Sequence, residues 1–394
     1  MKPTSPVPRG YKRTKVGVIP EEWEVVKLGS IAKIETGKTP LRSKNAFWDN
    51  AVIPWATTTE VNEKYITSTK EKVSKAAVED LKMKIFPENT ILLAMYGQGK
   101  TRGKVGLLKI KSTINQAFAA IQPSDNYITG FVFNYLDKSY MIIRELSHGS
   151  NQDNLNLDIV KSISIPYPPL EEQQKIAQIL STWDEAIVKL EALIEEKERF
   201  KKGLMQKLLS AKLRFPGFEG EWEEVRLGNV AFKKPSSISA NSIENNSGNY
   251  IIYGATGVLK KIDFYTEKDP YISIVKDGAG VGRVFLCNPY TSVLGTMDII
   301  KPKSSVSLYF LFSLLQQFNF IKYVTGSTIP HIYFKDYSKV KIKLPSKQEQ
   351  QKIVRLLITL DKEIDLLKKE LETLKEQKQG LMQKLLTGEV RVKT

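Results

Sequence analysis

Cysteine and histidine are almost missing from this 394-residue chain, which holds one cysteine, Cys287, and two histidines, His148 and His331. A single thiol excludes an intrachain disulfide, and three such ligands cannot build a Cys/His zinc cage of the common kinds, so neither a metal nor a cofactor is expected. No apolar run of about 18 residues occurs. The richest stretch, Val306 to Leu315, is broken by Gln316 and Gln317, so no membrane span is expected. The N-terminal MKPTSPVPRGYKRTKVG has no apolar core, unlike a secretory signal. Acidic residues are scarce relative to basic ones, 43 Asp+Glu against 59 Lys+Arg, giving a formal net charge of +16. What remains is a soluble, cytoplasmic, strongly basic protein long enough for two or more cored domains. An anionic partner is favoured, because clustered Lys and Arg release counterions when they neutralise phosphate.

Comparison of the chain with itself is the most informative step, since a long internal repeat sets the architecture before any element is assigned. Glu22-Trp-Glu-Val-Val-Lys-Leu-Gly-Ser-Ile-Ala32 matches Glu221-Trp-Glu-Glu-Val-Arg-Leu-Gly-Asn-Val-Ala231 at a shift of 199. At a shift of 177, Glu172-Gln-Gln-Lys-Ile176 lies on Glu349-Gln-Gln-Lys-Ile353, Lys202 to Leu209 on Gln379 to Leu386, and Gly149-Ser150 on Gly326-Ser327. The first copy therefore holds about 22 extra residues between its Trp motif and its Gly-Ser motif.

Each copy ends in a helical signal. Apolar residues fall at Ile176, Leu180, Trp183, Ile187, Leu190 and Ile194, then at Ile353, Leu357, Leu360, Ile364, Leu367, Leu371 and Leu374, with a polar interruption at Lys378. Spacing of 4 and 3 keeps such a seam on one helix face. Pro168-Pro169 and Pro345 stand just ahead, where proline ends a strand and is tolerated at a helix start. At ~1.5 Å per residue, about 40 residues make a rod of roughly 60 Å. Each seam needs a partner, and the other helix of the same chain has the matching length. Two antiparallel helices, with the globular copies at opposite ends, are expected. They carry about +2 of the +16, so some +14 lies on the globular parts, which are expected to meet the anion.

Inside the globular copies, short β-like runs alternate with turn residues: Ile91 to Met95, Val105 to Ile110, Ile272 to Val275 and Val340 to Leu344. Helical stretches are brief, at Ala76 to Lys82, Phe131 to Leu136 and Leu308 to Leu315, so an α+β fold is expected. Ala94-Met-Tyr-Gly-Gln-Gly-Lys-Thr101 satisfies a relaxed P-loop pattern, but Arg102 to Ile110 reads as a turn and strand, not as the helix whose amides would meet phosphate. Asp277-Gly-Ala-Gly-Val-Gly282 is likewise succeeded by a strand and reads as a hairpin turn at the place of Tyr96 to Lys104. Lys268-Asp-Pro-Tyr271 lacks the second proline and the Gly motif of an amino-methyltransferase. No nucleophile triad or carboxylate cluster of nuclease type stands out; the chain reads as a binder, not an enzyme.

With the tandem repeat, the Trp-x3-Lys/Arg-Leu-Gly segments at Trp23 and Trp222, Gly37-Lys-Thr-Pro40, Ile53-Pro-Trp55, Asn115-Gln116, the Gly-Ser pairs and Pro168 to Ile176, the chain resembles the specificity subunit of type I restriction-modification systems. That resemblance covers nearly all of it. It implies two target recognition domains, each reading half of a split double-stranded DNA site, and two long helices that hold them apart in a pseudo-twofold repeat. The helices would also dock methyltransferase subunits, two of them, and through these restriction/translocase subunits. Expected boundaries are an N-terminal arm 1–16, recognition domains 17–167 and 215–344, and spacer helices 168–214 and 345–394. The second copy lacks Gly-x-Thr-Pro and has Leu294-Gly-Thr296 near the place of Asn115-Gln116, so a different fold variant and half-site are expected there.

Base discrimination in the major groove needs Arg or Lys for guanine and Asn or Gln for adenine on rigid turns. Candidates in the first copy are Gln98, Lys100 and Arg102, then Asn151, Gln152 and Asn154, with Thr39, Arg42, Thr57 and Thr58 as further polar contacts. Those in the second copy are Arg283, Thr328 and His331. Lys233, Lys234, Lys260 and Lys261 are expected on phosphate, giving affinity without sequence information. Trp23, Trp55 and Trp222 are expected to be core anchors. Two other readings are a coiled-coil scaffold with only nonspecific DNA affinity, and a nucleotide-using enzyme dependent on Lys100.

Overall fold

A computed structural model of the chain describes residues 7–97, 100–146 and 154–393. The chain divides into two compact units: 1–190 with 370–394, and 191–369. In both, strands and helices mix, and the two long helices are Leu170–Leu209 and Lys347–Leu385.

In the first unit, the strand pair Glu24–Lys27 and Ser164–Tyr167 is antiparallel, with Lys27 opposite Ser164. A five-stranded sheet runs in the order Ile34–Thr36, Phe118–Ile121, Ile91–Ala94, Val105–Leu108, Tyr65–Ile66. A three-stranded sheet places Ile53–Ala56 between Thr113–Ile114, which is parallel to it, and Glu71–Val73. Ile91–Ala94 and Phe118–Ile121 are buried at every position, as expected for strands covered on both faces.

The second unit repeats this plan. Glu223–Arg226 pairs with Lys341–Leu344, Arg226 opposite Lys341, so the register is the first copy's moved by 199 and 177. A four-stranded sheet runs Ala231–Pro235, Met297–Pro302, Tyr271–Val275, Val284–Cys287. Tyr250–Gly254 lies between Ser292–Val293, parallel to it, and Gly257–Ile262. The expected change of fold variant is therefore confined to an insertion. Between corresponding strands the first copy has residues 57–90 where the second has 255–270, and the surplus holds the fifth strand and the helix Lys75–Asp80. That helix packs with Phe47, Trp55, Val73 and Met83 into a small core of its own. Gly37 lies tight under this region: a Cβ there would stand 1.9 Å from the Ile114 carbonyl oxygen, a place only glycine can occupy.

The seams bury in part: Trp183, Ile187, Leu190, Leu367 and Leu374 are half-buried. Ile176, Leu180, Ile194, Ile353, Leu357, Leu360, Ile364 and Leu371 are all buried. In the first unit the helices run antiparallel, as Asp184 meets Lys378 and Glu172 meets Arg391. In the second, Lys197 meets Glu363 and Lys201 meets Asp361, again antiparallel. Lys378, the polar interruption, is a seam position: it is buried and salt-bridged to Asp184, which also accepts from Lys64 Nζ at 3.0 Å and Tyr65 Oη at 3.0 Å. Moved by 177, this pair becomes Lys201 and Asp361, where Tyr309 donates to the acid. Burial raises the Asp184 carboxyl, but Lys64 and Lys378 outweigh it and hold the group below its ordinary value.

A second polar joint explains the repeated Glu-Gln motif. Glu172 Oε2 accepts from Trp23 Nε1 at 3.0 Å, while Arg391 grips the carboxylate through Nε at 2.8 Å and Nη2 at 3.0 Å. Glu349 does the same with Trp222 Nε1 at 3.1 Å and with Arg214 at 3.0 and 2.9 Å. Arg214 and Arg391 are themselves 177 apart. Next to each Glu, Gln173 and Gln350 accept the backbone N–H of Ile128 and Ser307, both at 3.0 Å. Bidentate guanidinium–carboxylate pairs are the strong, directional kind, which suits a joint between a helix and a globular body. Trp23 and Trp55 are fully interior, and Trp222 is half-buried against Phe310.

Candidate nucleic-acid interface

In both units three backbone segments are bonded at one end of the main sheet, of which the first unit's are described at 95–97, 100–104, 115–117 and 154–155. In the second unit these are the Gly-rich turn after Tyr271–Val275, residues 294–296, and the loop 325–332. Lys276 N–H donates to Thr296 O at 2.9 Å, Gly278 N–H to Pro330 O at 2.9 Å, and Ile332 N–H to Lys276 O at 2.9 Å. Thr325 and His331 exchange both backbone bonds at 2.8 Å and close the loop on itself. In the first unit Met95 N–H donates to Ala117 O at 2.8 Å and Leu155 N–H to Met95 O at 3.1 Å, the same pattern. Leu294 to Thr296 thus does stand where the first copy has Asn115 to Ala117. Asn115 Oδ1 accepts the Ala117 N–H at 3.1 Å, so this asparagine caps its own turn.

The turns join antiparallel strands, as their sequence implied. Ala94 N–H donates to Lys104 O at 2.9 Å, and Val275 N–H to Arg283 O at 2.9 Å. The P-loop-like segment leads into the strand Val105–Leu108 and opens no helix that could cradle phosphate. The register equates Arg283 with Lys104, not with Arg102. Arg102, expected among the reading residues, is buried, and its Nε has no hydrogen-bond partner. Its neighbour Gly103 has φ +85, and a Cβ there would lie 3.4 Å from the backbone of Tyr140 and Arg144.

The remaining candidates divide by what already holds them. Lys100, Asn154, Arg283 and Thr328 are exposed; Arg283 Nη1 donates to Ala255 O at 3.2 Å, and the side chain lines an open cleft of about 460 Å³ with Lys202, Gln316 and Gln317. Thr39 is exposed, and Arg42 keeps 60% of its side chain exposed while it pairs with Glu71 at 2.6 Å and lies 4.1 Å over the Trp48 ring. Thr57 donates its N–H and hydroxyl to Glu60 at 2.8 and 2.7 Å; Thr58 is half-buried. Gln98, Asn151 and Gln152 lie outside the described residues.

Three of the four expected phosphate-binding lysines also bond within the protein, Lys233 and Lys234 while keeping 36% and 51% of their side chains exposed. Lys234 and Lys301 both pair with buried Glu267, Lys234 at 2.5 Å. Lys233 lies 3.6 Å from buried Asp298, which Lys276 approaches at 3.9 Å. Burial raises the Asp298 carboxyl despite these lysines. Lys260 Nζ donates to the carbonyls of Ile243 and Glu244 at 2.8 and 3.0 Å, so it ties a turn together, while Lys261 is exposed. Sequence reasoning passed over Asp277, whose Oδ1 lies 2.7 Å from His331 Nδ1. The available signal was its position, first in the Gly-rich turn at a strand end.

A duplicated α+β unit, with matching backbone bonds at one sheet end of each copy and each copy joined to long antiparallel helices, is the architecture of a tandem DNA-specificity protein. Comparison places it: residues 20–198 and 219–376 match the type I restriction modification DNA specificity domain, and the chain belongs to that family of specificity subunits. It is similar to the MjaIX specificity subunit of Methanocaldococcus jannaschii, 28% identical across 97% of this chain and 96% of that one. The MjaVIII specificity subunit of the same organism is 27% identical over 95% and 94%. Its fold is similar to a solved S subunit from M. genitalium, with TM-score 0.60, 21% identity and coverage of 92% and 96%. A structure described under complex assembly and conformational transition of the type I R-M system gives TM-score 0.59 at 17% identity, covering 94% and 99%. Among the described residues, no helix is long and apolar enough to cross a membrane, and no group of three or more His, Cys, Asp or Glu could hold a metal ion.

Proposed function

We propose that this chain is the DNA-reading, non-catalytic subunit of a type I restriction-modification complex, each unit reading one half of a bipartite duplex site. The observation that carries this is the sheet end itself, where two backbone bonds of the second unit, Lys276 to Thr296 and Ile332 to Lys276, recur in the first as Met95 to Ala117 and Leu155 to Met95, while the neighbouring side chains differ. Asn154 and His331 occupy one position, Lys104 and Arg283 another. Repeated geometry with changed hydrogen-bonding groups is what two recognition modules for two different half-sites require. The functional boundaries are taken as 17–167 and 215–344 for the reading domains, with Lys100, Asn154, Arg283, Thr328 and His331 as the contacts to bases and Lys261 as a contact to phosphate. The long helices dock methyltransferase subunits, and restriction/translocase subunits through them, in the cytoplasm. Methyl transfer and cleavage belong to those partners. Half-sites about one helical turn apart suit two modules approaching one face of the duplex. The test is a domain exchange: replacing 17–165 by the same region of a homologue changes one half-site and leaves the other. A complex whose whole specificity changed would contradict the proposal, and one that bound DNA with no preferred sequence would favour a coiled-coil scaffold.

A further inference from the structure

We propose that His331 is the base-reading residue of the second unit and that Asp277 is its positioning residue, setting the imidazole so that Nε2 accepts from the exocyclic amino group of adenine or cytosine. This rests on the reading of that unit as a DNA-recognition module.

Four observations converge. First, the loop bearing His331 is fixed from both sides. Its own ends are closed by the two 2.8 Å bonds between Thr325 and His331, and its far side is pinned to the Gly-rich turn by Gly278 N–H to Pro330 O at 2.9 Å. Second, the turn at its start leaves no room for adjustment. Gly326 has φ +87, and a Cβ there would stand 2.4 Å from Ile329 O and 3.1 Å from His331 Cδ2. One edge of the ring is thus bounded by Gly326. Third, the other edge is held by Asp277 Oδ1, 2.7 Å from Nδ1. A carboxylate only accepts, so Nδ1 carries a proton, and in the neutral form of the ring the lone pair stands on Nε2. Fourth, His331 does not stand at an arbitrary place. Its neighbour Ile332 is buried and bonds to the strand-end carbonyl of Lys276, as Leu155 does to that of Met95, so His331 takes the position that Asn154 holds in the first unit.

The pair is only partly covered, with side chains 35% and 31% exposed, so a ligand can reach it. Thr328 and Ile329, both exposed, flank it on the same closed loop. In the major groove the donors offered by bases are adenine N6 and cytosine N4, and an orientation-locked acceptor selects them against the O6 and O4 acceptors of guanine and thymine. A His facing a phosphate would instead act as a donor, and its removal would weaken every sequence alike.

The experiment uses the full chain with its methyltransferase subunits and a pool of random duplex DNA. Once the wild-type split motif is known, the same selection is run with His331→Ala, His331→Gln and Asp277→Asn, with hydrogen exchange over 271–302 recording whether the unit stays folded. The expected result is relaxation at one A or C position of one half-site, roughly tenfold or more for His331→Ala. Asp277→Asn should relax the same position by less, His331→Gln should retain part of the preference, and the other half-site should be unchanged. A folded variant with an unaltered motif, or uniform weakening of all sequences, would overturn the assignment. A wild-type complex that enriches no split motif would instead remove the reading on which it rests.

Discussion

Replacing Asp184 by Asn leaves Lys64 and Lys378 facing a neutral amide in a place water hardly reaches. The acid and Lys378 are 11% and 10% exposed at their side chains, and Lys64 is 27% exposed. Removing one partner of a buried ion pair costs about 3–5 kcal/mol, because the other charge stays buried; the partial exposure of Lys64 brings this to about 3. The chain contains its own control. Asp361 makes the equivalent pair with Lys201, but the acid is 36% exposed, so Asp361→Asn should cost only about 1 kcal/mol. The difference, about 2 kcal/mol, corresponds to roughly thirty-fold in local opening. Hydrogen exchange is the fitting assay, since it reports each helix segment without requiring the whole chain to unfold in one step. Asp184→Asn should accelerate exchange over 175–190 and 372–385, and Asp361→Asn should accelerate it far less over 195–205 and 355–368. Because the Asp184 carboxyl is lowered, its contribution is present above the unfolded value of about 4 and lost as pH falls below it, closing the gap between wild type and variant. Equal effects at the two acids, or a larger one at Asp361, would refute the claim that burial sets the strength of these pairs.

Three further outcomes rest on the same geometry. Burial, then the adjacent Lys64, lower Lys378 to about 8 against the pull of Asp184, so the unfolded chain binds a proton that the folded one lacks between about pH 8 and 10. Stability of the first unit to urea should therefore rise across that window, and Lys378→Met should flatten the rise; a wild-type midpoint falling relative to the variant would be inconsistent. Cys287 is fully buried and its thiol is pushed up to about 11 by burial, so a maleimide at pH 8 should label it only as the second unit unfolds, and rapid native labelling would contradict the packing. Lys261→Ala should reduce the slope of log affinity against log salt by about 0.9, one phosphate contact. Lys260→Ala should leave that slope nearly unchanged, since its ammonium is spent on Ile243 and Glu244.

The architecture was legible because it is written locally and twice. A 4-3 apolar seam needs no knowledge of distant residues, and the shifts of 199 and 177 reappear unchanged in the strand registers Lys27–Ser164 and Arg226–Lys341. The interface was legible only to the level of the loop. What such a side chain is bonded to is decided by partners far along the chain: Glu267 pairs with Lys234 from 33 positions away, and Glu71 with Arg42 from 29. Arg102 and Lys104 are two residues apart in a turn, and only the strand register tells which one matches Arg283. Asp277 was invisible for the same reason, as its role depends on His331, 54 residues on. Single-residue assignments in turns need tertiary contacts that spacing does not contain.

The most direct test of the central claim is to co-express the chain with its methyltransferase subunits and select bound sequences from random duplex DNA at about 150 mM salt, where nonspecific phosphate contacts are screened. The account predicts a split motif with a gap of fixed length and unspecified sequence, one half of which moves when 17–165 is exchanged. A stable complex that enriches no motif would contradict it.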